Sequence, residues 1–298
     1  MYHSPASTYL LCFIVLATLL LGAAREGYGQ RVYATNYGAA QSGPGVLGII
    51  SAGLVNSPTN AVEPNSTNGN SAELVIGGLL GNAYAHLQLK FINGSQNLPA
   101  GTTIYVRIDG STSGGLLGLL LASSGFVSAQ QNASSGNVNS QGNLSAITGQ
   151  NIAVGSIQSE TIGGNLYLKI TPSACFNAIT ISITTAGLLG LLSNANLKVY
   201  HAYYECPGIS MPNPTPICQG ESTTVQVNNP ASCGTYNWYT QATGGTAFHT
   251  GTSYTTPALS STVTYYVEYS GVDNSKCGRT PVTVTVHPKP AMPHITAN

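Results

Sequence analysis

The chain has 298 residues, nine lysines and arginines, nine aspartates and glutamates, and a formal net charge of zero. Charged residues make up only 6% of it, against about 25% in typical globular proteins. This excludes binding that depends on long-range attraction to nucleic acid or anionic membranes, and it limits the supply of catalytic acids and bases. The 42% hydrophobic content excludes a disordered chain, and the length is enough for two ordinary domains.

The N-terminus has the features of a secretion signal. An apolar run from Tyr9 to Ala24 is somewhat short for a spanning helix and is followed by small residues. Glycines at positions 27 and 29 favour cleavage before Gln30, and cleavage after Ala24 is the alternative. We therefore predict a signal peptide at residues 1–29, a secreted or cell-surface location, and no membrane span after cleavage.

Residues 30–206 are predicted to form an all-β, jelly-roll-like sandwich. Short segments alternate apolar and polar side chains, which places one face of each segment in a core. No segment combines helical periodicity with helix caps, and the polar stretch 129–150 is interpreted as a long loop. The predicted strands are Glu73–Gly78, Ala85–Phe91, Thr102–Asp109, Leu166–Ile170, Ala178–Thr185 and Asn196–Tyr204.

Pairs of leucines stand between glycines at three places in this unit. Glycine favours turns because it adopts positive φ without steric cost, whereas leucine normally lies in a core. If consecutive strands alternate in direction, all three turns reach the same end of the sandwich. We predict that the leucines close the core there as an apolar plug or, alternatively, form an exposed interaction tip. They are Leu79, Leu80, Leu116, Leu117, Leu188 and Leu189.

A proline-rich linker at residues 207–217 precedes a second β unit at residues 218–288. The strand spacing is typical of an immunoglobulin-like sandwich, and Trp238 at the third strand is expected to fill the core. Residues 289–298 repeat a Met-Pro pair of the linker, so they are interpreted as a linker to a possible further repeat. The predicted strands are Ser222–Val227, Thr235–Thr240, Thr252–Pro257, Val263–Ser270 and Pro281–Val286.

Five cysteines follow the signal peptide, and most of them should be paired in an exported chain. If segments 178–185 and 196–204 form a hairpin, residues that face each other share a constant index sum. Cys175 then faces Cys206 within disulfide reach. The sequence therefore favours a Cys175–Cys206 bond.

The immunoglobulin-like unit offers a second pairing. The loops after its second and sixth strands leave the same end of such a sandwich. Cys233 lies in the first of these loops and Cys277 in the other, which favours a Cys233–Cys277 bond. Cys218 is then left over, and Cys218–Cys277 is the rival pairing.

The sequence has none of the motifs G-x-S-x-G, H-E-x-x-H, P-loop or C-x-x-C. The histidines beyond the signal peptide have no metal-ligand spacing, and no carboxylate pair can be nominated for glycoside hydrolysis. The tyrosines around positions 200 and 265 are interpreted as core or ordinary strand residues, with sugar stacking as the alternative. We predict no catalytic, cofactor-binding or metal-binding residues, and no enzymatic activity.

The second unit resembles the immunoglobulin-like repeats of large surface and secreted proteins of the Bacteroidetes. The resemblance rests on "ICQGESTTVQV" from Ile217, on the segment "YNWYTQATGG" from Tyr236, and on "CGRTPVTVTVHP" from Cys277. It implies spacer or adhesive modules that are exported by a type IX-like system.

The first unit resembles an N-terminal module found before such repeats, through "LPAGTTIYVRI" and "AGLLGLLSNANLKVYHAYY". It is also distantly similar to galactose-binding-type jelly rolls, whose "NAVDGN" loop often binds calcium. Here Glu63 replaces the aspartate and Pro64 replaces the glycine. A polar loop is therefore favoured over a calcium site, although Asn65 and Asn68 lie nearby.

These features predict a non-enzymatic extracellular structural or adhesive module of a bacterial surface or secreted protein. The alternative is a carbohydrate-binding, lectin-like module carried on an immunoglobulin-like spacer. The expected partners are surface glycans, other surface proteins or further copies of the chain, and no cofactor is expected.

Overall fold

The computed structural model describes residues 30–43, 52–65, 67–77, 82–91, 97–110, 126–184, 194–231 and 233–289. Over these ranges the fold is all-β, as predicted: a jelly-roll-like sandwich is followed by an immunoglobulin-like sandwich. The helical elements in these ranges are a 3₁₀ turn at Pro58–Ala61 and the four-residue helix α1 at Asn274–Cys277. No helix within them is long and apolar enough to cross a membrane.

The first sandwich consists of a seven-stranded larger sheet and a six-stranded smaller sheet. Its strands are β1 (Arg31–Tyr33), β2 (Asn36–Gln41), β3 (Ala52–Asn56), β4 (Ala72–Gly77), β5 (Tyr84–Lys90), β6 (Ile104–Gly110), β7 (Val127–Gln131), β8 (Val138–Gln141), β9 (Gln150–Ile152), β10 (Val154–Ile162), β11 (Asn165–Pro172), β12 (Ala178–Thr184) and β13 (Asn194–Glu205).

Strands that are neighbours in the chain often lie in different sheets. The larger sheet has the order β10-β11-β6-β13-β4-β3, with β1 also paired to β13, and the smaller sheet has the order β8-β2-β5-β12-β7-β9. β4 and β5 are on opposite sheets, and so are β12 and β13. The chain therefore crosses between the sheets at these connections, and segments 178–185 and 196–204 do not form the hairpin on which the Cys175–Cys206 pairing depended.

Alternating side chains form the core between the two sheets. In β6, Ile104, Val106 and Ile108 are buried, whereas Tyr105 and Arg107 lie on the outer face and are half-buried. Burying one such aliphatic side chain stabilises the fold by about 1.5–3 kcal/mol. The period-two pattern of the sequence thus identifies the inward face of each central strand.

The outer face of the smaller sheet is covered by the polar stretch that was expected to be only a loop. This stretch contains all of β8, the end of β7 and the first residue of β9, so the loop prediction for residues 129–150 was wrong in part. Beneath it, the Gln88 side-chain amide donates to the carbonyl of Thr148 at 2.8 Å and to the side chain of Gln130 at 3.2 Å. Thr180 donates to Gln130 at 2.9 Å. Polar side chains are therefore buried here because they are hydrogen-bonded to one another.

Lys90, at the end of β5, is buried under the same covering segment. Its ammonium group donates to the carbonyl of Gly136 at 3.2 Å, and no carboxylate contacts it among the described residues. Burial lowers the pKa of the Lys90 ammonium group below its ordinary value. This lysine is consequently a cost to stability that the rest of the core offsets.

The second sandwich is built around Trp238, as predicted. Trp238 is fully buried, and its indole N–H donates to the carbonyl of Gly251 at 2.8 Å. The strands are β14 (Ile217–Cys218), β15 (Thr224–Gln226), β16 (Tyr236–Tyr239), β17 (His249–Thr250), β18 (Ser253–Thr255), β19 (Val263–Tyr269), β20 (Thr280–Val284) and β21 (Val286–His287). They form a four-stranded sheet, β17-β16-β19-β20, with the pairs β15-β18 and β14-β21.

Arg279 is the centre of a largely buried polar cluster in this sandwich. Its guanidinium group bonds the Glu268 carboxylate at 3.1 Å, and the two side chains are only 10% and 14% exposed. The same group lies 3.2 Å from the ring centroid of Tyr239 and donates to the carbonyls of Gln241 and Gly244 at 2.8 and 2.7 Å. Arg279 therefore ties the turn after β16 to strand β19.

Candidate functional site

The two ends of the first sandwich are different. Strand β13 runs the length of the sandwich with 12 residues. At about 3.3 Å per residue, the two ends of the sandwich are therefore about 36 Å apart. Ile104 at the start of β6 pairs with Ile170 and Tyr204, so the C-terminal ends of β11 and β13 lie at the same end of the sheet. Cys175 and Cys206 follow these strand ends. Both cysteines are therefore placed at the end that faces the second sandwich.

Two disulfides connect the sandwiches at this joint. Cys175 bonds Cys233 with a Cα–Cα distance of 6.0 Å, and Cys206 bonds Cys277 with a Cα–Cα distance of 5.2 Å. Cys218 is free and exposed. The sequence had nominated these same four cysteines, but the pairings Cys175–Cys206 and Cys233–Cys277 were wrong, as was the rival pairing with Cys218.

The reason for this error is the assignment of strands to sheets. The index-sum argument requires β12 and β13 to be hydrogen-bonded neighbours, but they belong to opposite sheets. Cys233 and Cys277 do lie on the side of the second sandwich that faces the joint, where each bonds a cysteine of the first sandwich. The sequence showed which loops share an end but not which end faces the other domain.

Noncovalent contacts reinforce the joint. The Lys276 ammonium group lies 2.7 Å from the Glu63 carboxylate, with both side chains about a third exposed. The Asp273 N–H donates to the Tyr204 hydroxyl at 3.3 Å, and burial raises the pKa of that hydroxyl to about 12. A Cβ at Gly271 would overlap the carbonyl of Asn97, so the two backbones approach closely there. These contacts fix the second sandwich against the first.

A cleft of about 480 Å³ lies beside the Cys175–Cys233 bond. Its walls come from both sandwiches and from the linker, and no side chain among the described residues that line it is charged. The lining residues are Pro99, Ala100, Cys175, Pro207, Gly208, Ile209, Ser210, Val227, Asn228, Asn229, Pro230, Ala231, Tyr236 and Tyr269. Sequence reasoning missed this cleft because its walls are far apart along the chain.

The residues considered for a calcium loop have a different role. Glu63 takes part in the ion pair with Lys276 across the joint, and the side-chain amide of Asn65 donates to the carbonyl of Thr59 at 3.5 Å. Within the described ranges, no group of three or more His, Cys, Asp or Glu residues is arranged to hold a metal ion.

The leucine turns lie outside the described residues, but the strands that flank them are placed. β4, β6 and β12 end at Gly77, Gly110 and Thr184, next to the beginnings of β13 and β5. These strand ends are all at the end of the first sandwich opposite the joint. The plug and the interaction tip proposed for the leucines stay predictions. The leucines concerned are Leu79, Leu80, Leu116, Leu117, Leu188 and Leu189.

One histidine forms a contact that its spacing in the sequence did not indicate. The Nδ1 atom of His86 lies 2.6 Å from the Ser182 hydroxyl on the outer face of the smaller sheet, and burial lowers the pKa of His86. No carboxylate contacts His86 among the described residues, whereas a nucleophile–base pair is normally oriented by a third group. The contact therefore pairs two polar side chains of neighbouring strands, β5 and β12, without such a third group among the described residues.

The outward tyrosines of the larger sheet stack on one another. The rings of Tyr105 and Tyr203 are 5.1 Å apart and nearly parallel, and the Arg31 guanidinium lies 4.5 Å from the Tyr203 ring. Tyr167 packs edge-on against Tyr203 at 5.9 Å. Because these ring faces are occupied by one another, they do not form an open surface for stacking sugars.

Comparison with known proteins identifies the second sandwich. A family model described as an Ig-like domain, CHU_C associated, matches residues 206–288, which confirms the immunoglobulin-like prediction for this unit. No curated protein matches the chain. The match begins at Cys206, so it includes both cysteines of the Cys206–Cys277 bond, one cysteine of the Cys175–Cys233 bond and the whole linker.

Two solved structures are reported for comparison. The β-1,2-glucanase from Parabacteroides distasonis is 13% identical, with 88% of this chain and 40% of that chain covered and a TM-score of 0.32. The adhesin domain of Epf from Streptococcus pyogenes is 6% identical, with 89% and 100% covered and a TM-score of 0.39. The chain thus spans well under half of the glucanase chain. At these TM-scores neither likeness supports an argument about function.

Proposed function

We propose that the protein is a non-enzymatic extracellular module with a structural or adhesive role, in which the two sandwiches form one stiff unit. The observation that carries this proposal is that both disulfides cross the joint between the sandwiches. Disulfides form and persist in oxidising environments such as the cell exterior. The immunoglobulin-like match at residues 206–288 gives the unit a domain type that is suited to a spacer.

The two bonds restrain the joint more strongly than its other contacts. Domains joined by a single linker normally move relative to each other, but here two disulfides add two further covalent connections. They close loops of 58 and 71 residues, and in the chain-entropy model each stabilises the folded state by about 4 kcal/mol. An exposed ion pair such as Glu63–Lys276 contributes about 1 kcal/mol or less. The stiffness of the unit therefore depends on the disulfides.

The cleft at the joint supports the non-enzymatic part of the proposal. General acid–base catalysis requires titratable groups within hydrogen-bond reach of the substrate. The part of the lining that the structure describes has no carboxylate, imidazole or ammonium group, and its tyrosines at positions 236 and 269 are largely buried. The cleft can hold a molecule but lacks the groups that would move a proton on it.

Small-angle X-ray scattering of the oxidised mature chain tests the proposal. We expect a narrow distribution of distances between the sandwiches, set by the joint, and a broader distribution when Cys175, Cys206, Cys233 and Cys277 are all replaced by serine. Replacing the free Cys218 by serine is the matched control and should leave the scattering unchanged. Identical scattering from the four-serine variant, with both sandwiches still folded, would contradict the stiff unit.

A further inference from the structure

The cleft at the joint has the size and position of a ligand site. Its volume of about 480 Å³ lies within the range of about 300–1,000 Å³ for small-molecule sites, which favour domain interfaces. One wall is the segment around Pro99 and Ala100 of the first sandwich, and the others are the linker at 207–210 and the segment 227–231 of the second sandwich. A site of this kind exists only when both sandwiches are in place.

The walls are held in position before any ligand binds. The Cys175–Cys233 bond crosses the joint at the cleft. The Asn228 N–H donates to the carbonyl of Ser210 at 2.8 Å, which attaches the linker to the second sandwich. The Ala231 N–H donates to the Tyr236 hydroxyl at 2.9 Å. A preformed cleft loses less conformational entropy on binding.

The chemistry of the lining points to a neutral ligand. None of the described residues that line the cleft is charged, so a charged ligand would lose its hydration without gaining a counter-charge from them. The side chains of Asn228, Asn229 and Ser210 are exposed, and none of them forms a hydrogen bond with another described residue. Amide and hydroxyl groups both donate and accept, which matches the hydroxyl groups of a sugar.

We propose that this cleft binds a neutral oligosaccharide. Hydroxyl groups of the sugar meet the side chains of Asn228, Asn229 and Ser210, and its apolar C–H surface packs against Pro99 and Pro230. An extended peptide fits less well, because strand addition requires unpaired backbone groups. The backbone that continues β15 is already paired at Asn228 with the linker. The inference goes beyond the structural role, since a stiff joint does not require a ligand.

Titration of the oxidised mature chain with oligosaccharides tests the proposal. An array of neutral and acidic oligosaccharides of matched length is screened first, and the best neutral binder is then titrated by calorimetry. We expect binding to neutral sugars, and a loss of tenfold or more in affinity in the Asn228→Ala, Asn229→Gly double variant. Glycine suits position 229 because Asn229 has a φ of 46°. Asn70→Ala, an exposed asparagine outside the cleft, is the matched control and should keep full affinity.

A second variant guards against a folding defect. Ser210→Tyr places a bulky ring on the exposed linker wall, and it should abolish binding while the melting temperature stays unchanged. The proposal is overturned if no neutral sugar on the array binds, if only acidic sugars or a proline-rich peptide bind, or if neither variant changes the affinity. Scattering measurements on the same samples report the stiffness of the joint separately, so loss of the ligand site and loss of the stiff unit are distinguishable.

Discussion

When the oxidised protein is unfolded by pulling on its two ends, its fully stretched length should be shorter than that of the reduced chain. The two disulfides interleave, because Cys206 lies inside the loop closed by Cys175–Cys233 and Cys277 lies outside it. The path that crosses both bonds is shorter by only about 10 Å than the path across Cys206–Cys277 alone, which bypasses 71 residues of the unfolded chain. At about 3.5 Å per extended residue, this shortens the fully stretched chain by about 250 Å.

Removing one bond changes this length by a defined amount. The double variant Cys206→Ser, Cys277→Ser keeps Cys175–Cys233, which bypasses 58 residues, or about 200 Å at about 3.5 Å per residue. The complementary variant, Cys175→Ser with Cys233→Ser, should keep the full shortening of about 250 Å by the same estimate. The fully stretched length of each variant therefore shows which of the two disulfides it contains.

Single-molecule force spectroscopy measures these lengths directly. The mature chain is held by handles at its two ends, with Cys218→Ser in every sample to prevent disulfide exchange, and the reduced chain gives the full length. If the Cys206→Ser, Cys277→Ser variant stretches to the full reduced length, then Cys175 is not bonded to Cys233. The pairing that crosses the joint would then be refuted.

Three further predictions concern stability, measured by urea unfolding of the oxidised chain. Arg279→Met leaves the largely buried Glu268 carboxylate with the Tyr239 hydroxyl as its remaining donor among the described residues and should cost about 3 kcal/mol. Lys169→Met, at a side chain that is 36% exposed, should cost less than about 1 kcal/mol; equal costs would contradict the importance of the Arg279–Glu268 pair. Lys90→Met removes a buried charge and also the hydrogen bond from Lys90 to the Gly136 carbonyl. The free energy of unfolding should rise by about 1 kcal/mol; a decrease would show that the hydrogen bond contributes more than the burial of the charge costs. Burial lowers the pKa of His86 in the fold, so the unfolded chain takes up the proton more readily than the folded chain as the pH drops below about 6.5. The free energy of unfolding should therefore fall there, and the same slope in a His86→Gln variant would contradict this assignment.

The parts of the fold that the sequence predicted are those with one buried face. In β6 the side chains of Ile104, Val106 and Ile108 alternate with polar ones, so the strand and its inward face were both predictable. β10 pairs only with β11 at the edge of the larger sheet and is largely exposed. Such a strand carries no periodic apolar signal, and it was missed for that reason.

The candidate site depends on relations that periodicity does not contain. A period of two shows which face of β12 or β13 is inward, but it does not show which sheet each strand joins. Because the sheet of each strand could not be predicted, β12 and β13 were treated as neighbours and Cys175 was wrongly paired with Cys206. The cleft also joins Pro99 to Asn228, which are distant in the chain and meet only because the sandwiches are bonded. The sequence identified the four cysteines but not the surface that they create.

The interleaved bonds also decide which parts of the protein bear tension. A force applied along the oxidised chain passes from Cys206 directly to Cys277 and leaves through β20 and β21. Most of the second sandwich, including the core around Trp238, is therefore attached beside the line of force and is not in series with it. In the reduced chain the force would pass through the linker to β14, which is held to β21 by a short parallel pairing. Oxidation thus transfers the load from hydrogen bonds to a covalent bond.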